Sequence, residues 1–396
     1  MADIQSVIQG TLDELVDSGE EEGLQAAVYL EGELVADCVA GVVAQDSDTA
    51  VCPDTLFTIF SASKGIVSTA FHMLVERGLL DYDKLVAHYW PEFGAAGKES
   101  ITIAQVLNHT AGIPQVPVLP DVSFAALCSD LERSVEETAK LAPIFAPGTT
   151  SCYHGLTIGW ALAGLVQRVD GRTLGQIVRE EIAAPLRIAD ELYLGTPAEV
   201  HGRMATLYDA PINPDDLPEF DPDSIIFKVI PLTDEPLGAL CNRPEIRSAE
   251  LPAANISATA RALAKHYAAL VSEVDGVRLV SADHFDSLFA YRTDLPDLFM
   301  NAQVDFDVQT PRVLGYQLNT MLKDQLFYYG NSPRALGHEG YGGCVGLADP
   351  DLKLGLGFTK TKLVSFVKDD QTAKLRAPRA EEFSKIKLTK ALYDAL

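Results

Sequence analysis

Apolar residues recur at helical spacing in the first stretch of the chain. Ile4, Ile8, Leu12 and Leu15, with Val7 and Val16 beside them, predict an amphipathic helix. Two β-prone runs follow, Leu24 to Leu30 and Glu33 to Ala40. They are joined by Glu31 and Gly32, which predicts a hairpin whose unusual turn dihedral is supplied by Gly32. Helical periodicity returns near Ser61, carries Ile66, Val67, Ala70, Phe71 and Leu74, and stops at Gly78. Thr102 with Gln105 has the form of a capping box ahead of a short helix through Asn108, ended by Gly112 and Pro114. Ser134 with Glu137 gives the same signal before a helix to about Leu141. Residues 155–169 are helical again, with Ile158, Leu162 and Val166 on one side, and Gly171 separates them from a helix over Leu174 to Ile182.

From Gly195 to Ser248 the periodicity fades while Pro, Asp and Glu accumulate, as in PINPDDLPEFDPD, and the stretch reads as a long solvated excursion over the surface. Helical spacing resumes between Ser257 and Leu270. Strand-like alternation appears at Val313 to Thr320, Gly343 to Asp349 and Lys353 to Thr361. Strands near both ends with helices between them predict an α/β domain assembled from residues 1–90 and 249–396. A mostly helical insertion over 91–248, including the acidic excursion, interrupts it.

Charge narrows the partners. The 396 residues carry 56 acidic against 31 basic side chains, a formal net charge of -25, with no Lys/Arg cluster, so neither nucleic acid nor an anionic membrane surface is an expected partner. No window approaches 18 uninterrupted apolar residues, and the amino terminus lacks the charged and apolar regions of an export signal. Six scattered cysteines without a CxxC pair read as reduced, mostly buried thiols, and the expected location is cytoplasmic. HExxH, GxSxG, a Walker loop and a dinucleotide fingerprint are absent, so no metal and no cofactor are expected.

The candidate chemistry lies in FTIFSASKGIVSTAFHMLVERG. Ser61 and Lys64 are three residues apart at a helix start, on one face and close enough to interact. A serine hydroxyl is a weak nucleophile that needs a neighbouring base, and a desolvated lysine shifts toward its neutral form. Ser63 and Ser68 lack that combination of position and partner.

With these residues in view, the sequence resembles the class C β-lactamase and penicillin-binding-protein superfamily, particularly its β-lactamase-like serine esterases and transacylases. FTIFSASK is similar to the family's nucleophile box and ITIAQVLNHTAGIP to its segment some 40 residues later; PGTTSCYHG resembles its tyrosine motif and GHEGYGG its glycine-rich strand segment. The resemblance implies an α/β β-lactamase/transpeptidase-like fold, an antiparallel sheet flanked by helices with a helical insertion. It implies Ser61, Lys64 and Tyr153 as catalytic residues, with the backbone N–H groups of Ser61 and Tyr341 as the oxyanion hole. In that scheme Tyr153 exchanges a proton with Ser61, its pKa lowered by the Lys64 cation.

His338, Glu339 and Gly340 would line the substrate, as would His154 and, from VLGYQL, Tyr316. Asn108 and His109 read as a structural turn near the site, and Phe71, Trp90 and Trp160 as packing groups. The chain departs from the antibiotic-hydrolysing pattern in two places. Gly155 stands where an asparagine would hold the lysine, and His338-Glu339 stands where Lys-Thr would meet a carboxylate. A negative Glu339 would disfavour carboxylate substrates, pointing to neutral esters or acyl-thioesters. The expected function is hydrolysis of small neutral carboxylic esters through an acyl-serine. Two alternatives stay open: an intracellular transacylase using the same acyl-enzyme, and a non-catalytic binding protein of the same fold. Oligomeric state is not legible.

Overall fold

Seven strands, two near the amino terminus and five near the carboxyl terminus, meet in one antiparallel sheet. The computed structural model describes residues 3–211, 221, 223–231, 233, 235–302, 310–322, 325–327, 330, 332–364, 367–368, 375–376 and 383–396. The strands are β1 (Gly23–Leu30), β2 (Glu33–Gly41), β3 (Arg312–Val313), β4 (Tyr316–Leu318), β5 (Leu336–Glu339), β6 (Val345–Asp349) and β7 (Leu354–Lys360). Their spatial order is β2-β1-β7-β6-β5-β4-β3, so the amino-terminal hairpin pairs directly with the last long strand. The hairpin turn places both Glu31 (φ 50°) and Gly32 (φ 88°) in the left-handed region, the geometry a two-residue connection demands.

The helices that frame the sheet are α1 (Ile4–Asp17), α2 (Ser63–Glu76), α3 (Thr157–Val169), α4 (Ala260–Val271) and α5 (Ser384–Ala395). α1 and α5 cover one face, where Ile8, Leu12, Leu388 and Leu392 pack against Leu24, Ala26, Val28, Leu347 and Phe358. α4 covers the other. There the alternate positions of LGLGF are glycines, because a Cβ at Gly355 would lie 2.4 Å from the Ala264 carbonyl and one at Gly357 2.2 Å from that of Ala260. With both faces covered, β1 and β7 are buried almost throughout. A single apolar core runs from this side of the sheet through α2 into α3 and the helices beside it, and Phe71, Trp90 and Trp160 are buried in it. The α/β fold with an antiparallel sheet, flanking helices and a helical insertion is therefore present as expected. Among the described residues, no helix is long and apolar enough to cross a membrane.

Two local expectations differ from the structure. Ser134 does not cap a helix: the helix Leu131–Lys140 starts earlier, Asp130 accepts from Arg133 N, and the Ser134 hydroxyl donates to the Leu127 carbonyl. The stretch from 195 to 248 is less solvated than expected. It holds the short helices Ile225–Val229, Leu237–Asn242 and Pro244–Ser248, and Val229, Leu240, Cys241 and Ile246 are buried. Helices of five or six residues are too short to establish a period, so their few anchoring side chains leave no pattern to read. Most of the acidic run PINPDDLPEFDPD lies outside the described residues. All six cysteines are free thiols, five of them buried and Cys52 exposed.

Beneath α2 lies a chain of buried polar side chains. His72 Nδ1 is 2.6 Å from the Tyr82 hydroxyl, which is 3.1 Å from His284 Nε2. His266 Nε2 is 2.9 Å from Thr69 Oγ1, itself 2.6 Å from the Tyr316 hydroxyl. Burial lowers His72 and His266 to about 3, below the ordinary 6.5. Between those limits the unfolded chain binds more protons than the folded one. Stability is therefore intact above the unfolded value and falls as pH drops toward the folded one, by up to about 1.4 kcal/mol per pH unit for each imidazole. Urea-unfolding midpoints are expected to decline from about pH 7 to about pH 5, and His266→Gln to flatten the decline. A midpoint independent of pH over that interval would contradict neutral burial of these groups.

Candidate active site

The short strand Phe57–Thr58 pairs with Ser257–Ala258 and delivers the chain into a 3-10 turn, Phe60–Ala62, that runs on into α2. Ser61 thus sits in the tight entry turn rather than at the cap of the α-helix. Phe60 holds φ 47°, an uncommon value for a bulky side chain, so the residue before the serine stores backbone strain. The turn is wedged against the loop after β5. A Cβ at Gly340 would lie 2.2 Å from the Ile59 carbonyl, and the Phe60 and Tyr341 rings meet edge to face at 5.4 Å. This close approach sets residues 340–341 beside the turn that carries Ser61.

Lys64, one turn into the helix, is 2% exposed. Its Nζ reaches Ser61 Oγ at 3.0 Å and donates to the Ala253 carbonyl at 2.9 Å. Burial first, and then the charge of Arg312, hold the amine well below its usual pKa, toward the neutral form. Ser63 is fully buried and accepts from Ile256 N, so its hydroxyl braces the turn.

Tyr153 closes the other side. Its ring lies 4.9 Å from Lys64 Nζ, 5.1 Å from the His109 ring, 5.6 Å from that of Phe299 and 6.2 Å from that of His338. Burial raises the phenol's pKa, opposed by its hydrogen bond with the Ser61 hydroxyl and by Arg312. Ser61 and Tyr153 keep part of their surface open, while Lys64, His109 and His338 around them are buried. The cluster therefore brings together a reachable hydroxyl, a desolvated amine and a phenol.

Of the expected substrate-binding residues, the structure brings His338 and Gly340 to this cluster. His338 Nδ1 is 2.7 Å from the Glu339 carbonyl, which fixes its proton there, and its buried Nε2 has no partner among the described residues. Burial, with Lys64, Arg312 and Lys385 nearby, keeps the ring neutral. Glu339 points the other way, because successive strand residues alternate faces, and pairs with Lys385 of α5. Its carboxylate is thus turned away from Ser61 and held on the Lys385 amine, which burial lowers to about 7.

His154 is also turned away. It accepts from Ile113 N at 3.1 Å, donates to the Cys152 carbonyl at 2.6 Å, and its own backbone N–H donates to His109 Nδ1 at 2.8 Å, so it braces the loop under Tyr153. Tyr316 faces the middle of α2, hydrogen-bonded to Thr69 and fully buried. Asn108 is structural as expected: it donates to the Tyr291 carbonyl and accepts from Leu314 N. His109 beside it is buried with φ 59°, its ring under Tyr153.

Two features had no sequence signal. The Ala253 carbonyl holds Lys64 where the absent asparagine would have been sought. Val229 fills the space at Gly155, where a Cβ would meet it at 3.1 Å. The second is a buried ion pair, Arg312 with Asp297 at 2.6 Å, whose carboxylate also accepts from Tyr153 N at 3.3 Å. Nothing near Arg312 or Asp297 in sequence announces a contact with residues some 150 positions earlier.

Comparison with known proteins identifies the family. A curated relative, the Esterase/beta-lactamase LipL of Mycobacterium tuberculosis, is 32% identical over 356 residues, covering 86% of this chain and 77% of the relative. A family VIII carboxylesterase structure superposes with a TM-score of 0.83 at 28% identity, covering 100% of this chain and 98% of the other. A penicillin-binding protein homolog from Caulobacter crescentus superposes at 0.81 with 29% identity, over 100% of this chain and 98% of the other. The Beta-lactamase family profile matches residues 8–381, and the chain belongs to that family of serine hydrolases and esterases.

Proposed function

We propose that this protein hydrolyses small neutral carboxylic esters through an acyl intermediate on Ser61. The observation that carries the reading is the 3.0 Å contact between Ser61 Oγ and a Lys64 amine that burial drives toward neutrality. A neutral amine at that distance accepts the hydroxyl proton as the oxygen attacks. The burial that disfavours the ammonium also disfavours the phenolate, so the resting pair in this reading is amine and phenol, and Arg312 rather than Lys64 supplies the charge that lowers the phenol's pKa.

Attack of Ser61 Oγ on the ester carbonyl forms the C–O bond of the tetrahedral intermediate, and the proton moves to Lys64. The backbone N–H groups of Ser61 and Tyr341 donate to the oxyanion; a single donor of that kind contributes about 10²–10³ in rate. Collapse breaks the bond to the alkoxy group, which leaves as the alcohol with a proton from the Lys64–Tyr153 pair. Water then repeats the sequence on the acyl-serine and releases the carboxylic acid. No cofactor enters this balance.

The neutral-substrate preference rests on His338 and Gly155. An imidazole held neutral offers no charge to a carboxylate, and Val229 fills the space where an amide-binding side chain would reach a lactam. Likeness to the esterase/beta-lactamase LipL and to the family VIII carboxylesterase supports ester cleavage, and the first of these is also a β-lactamase by name. Relative rates are therefore the discriminating quantity.

With p-nitrophenyl butyrate, intact mass is expected to show a butyryl adduct on the wild type. The Ser61→Ala protein should carry none and lose at least about 10⁴-fold in kcat while keeping its circular-dichroism spectrum. An adduct on the folded variant would move the nucleophile elsewhere. For substrate class, kcat/KM for p-nitrophenyl butyrate is expected to exceed that for nitrocefin by at least about tenfold. The reverse order would show that the pocket receives carboxylate-bearing lactams.

A further inference from the structure

Arg312 and Asp297 are 1% and 0% exposed, a full ion pair withdrawn from water beside the reacting groups. Arg312 Nη1 donates to Asp297 Oδ2 at 2.6 Å and to Ser151 Oγ at 2.7 Å. Asp297 Oδ1 accepts from the backbone N–H groups of Tyr153, Phe299 and Met300 at 3.3, 3.0 and 3.1 Å. Backbone bonds complete the clamp: Leu298 N donates to the Ser151 carbonyl at 2.9 Å, and Thr293 and Arg312 exchange two bonds of 2.9 Å. One ion pair thus ties the tyrosine loop, the turn at 297–300 and the edge of the sheet together.

A clamp would need only Nη1. Arg312 Nε and Nη2 are buried and have no acceptor among the described residues, and the guanidinium lies 5.8 Å from the centre of the Tyr153 ring. Leaving two donors of a buried cation unpaired is costly, and a neutral pair of donor and carboxamide could keep the contacts to Ser151 and to the three backbone N–H groups without that cost. What such a pair would lack is a positive field at the phenol. We propose that Arg312 is a positioning residue that fixes the Tyr153 loop through Asp297 and provides the field in which Lys64 and Tyr153 pass the proton. The inference rests on the proposed roles of those two residues.

Among the described residues the remaining titratable groups around the phenol are Lys64 on α2, Cys152, whose thiol burial pushes up to about 12, His109, His154 and His338, with the Lys385–Glu339 pair behind β5. Burial keeps the three imidazoles neutral, so among the described residues Arg312 and Asp297 are the fixed charges beside the ring. The Arg312 charge opposes protonation of both Lys64 and Tyr153, while Asp297 acts on the phenol in the opposite sense. Removing one or the other must therefore move the ionisation in opposite directions, which no purely structural loss would do.

The test is the pH profile of single-turnover acylation by p-nitrophenyl butyrate, measured on full-length folded variants. Arg312→Gln is expected to raise the midpoint of the acidic limb by about one pH unit or more, Asp297→Asn to lower it, and Arg312→Lys to leave it near the wild-type value. Midpoints that stay fixed, or that move the same way in Arg312→Gln and Asp297→Asn, overturn the proposal even if rates fall. If Arg312→Gln does not fold, the lowered midpoint of Asp297→Asn against the unchanged one of Arg312→Lys decides the same question. Tyr153→Phe and Lys64→Ala separate the two layers of the argument. Full acylation rates in both would overturn the roles of Lys64 and Tyr153 and the field proposed to serve them. Loss of rate in both, with midpoints that do not respond to Arg312 or Asp297, would overturn the field alone.

Discussion

The desolvation of Lys64 is the constraint on which the site depends. An ammonium out of water is expensive, and the structure gives this one a single carbonyl, that of Ala253, and a serine hydroxyl in place of a carboxylate. The fold creates that setting by wedging the start of α2 between the sheet and the helical region. The wedge requires close backbone approaches that only glycine allows, Gly340 against Ile59 and the Leu-Gly alternation of β7 against α4. The positive φ of Phe60 belongs to the same packing, strain held by the surrounding core at the residue preceding the nucleophile. Helix placement, sheet composition and amine chemistry are thus one design.

Elements with strong local periodicity were legible from the chain alone. α1 shows its four buried positions at helical spacing, and the Thr102–Gln105 capping box forms with both reciprocal bonds. The Ser61–Lys64 spacing was also readable, because a contact three residues apart on a helix is a local property. Ser134 misled because a serine followed three residues later by a glutamate matches a capping box anywhere. Asp130, a better cap, stands one turn earlier.

What sequence could not supply was direction and long-range pairing. His338 and Glu339 are neighbours in the chain but face opposite sides of β5, and that alternation moves Glu339 out of the site and onto Lys385. Tyr316 was expected at a pocket and is spent on Thr69 in the core. Arg312, Asp297 and Ser151 meet only after some 150 residues of intervening chain have folded, and a charged residue without periodic context reads as surface. The carbonyl of Ala253 is beyond any reading of side chains.

These pairings bear on the kind of substrate the site accepts. The chain as a whole carries a formal charge of -25, so its surroundings disfavour anions. Among the described residues, Arg312 is engaged by Asp297, Glu339 is turned away onto Lys385, and burial holds Lys64 and the histidines toward neutrality. For the proposed function, such a site in an acidic protein favours a neutral carbonyl over a carboxylate. For the proposed ester chemistry this balance also gives the reaction a direction. The substrate enters uncharged, while the acid product ionises near neutral pH and is then repelled by the same field that never opposed its precursor. In that proposed reaction, product release would be assisted by the charge of the whole chain, and acylation would be governed by the few buried groups around Ser61.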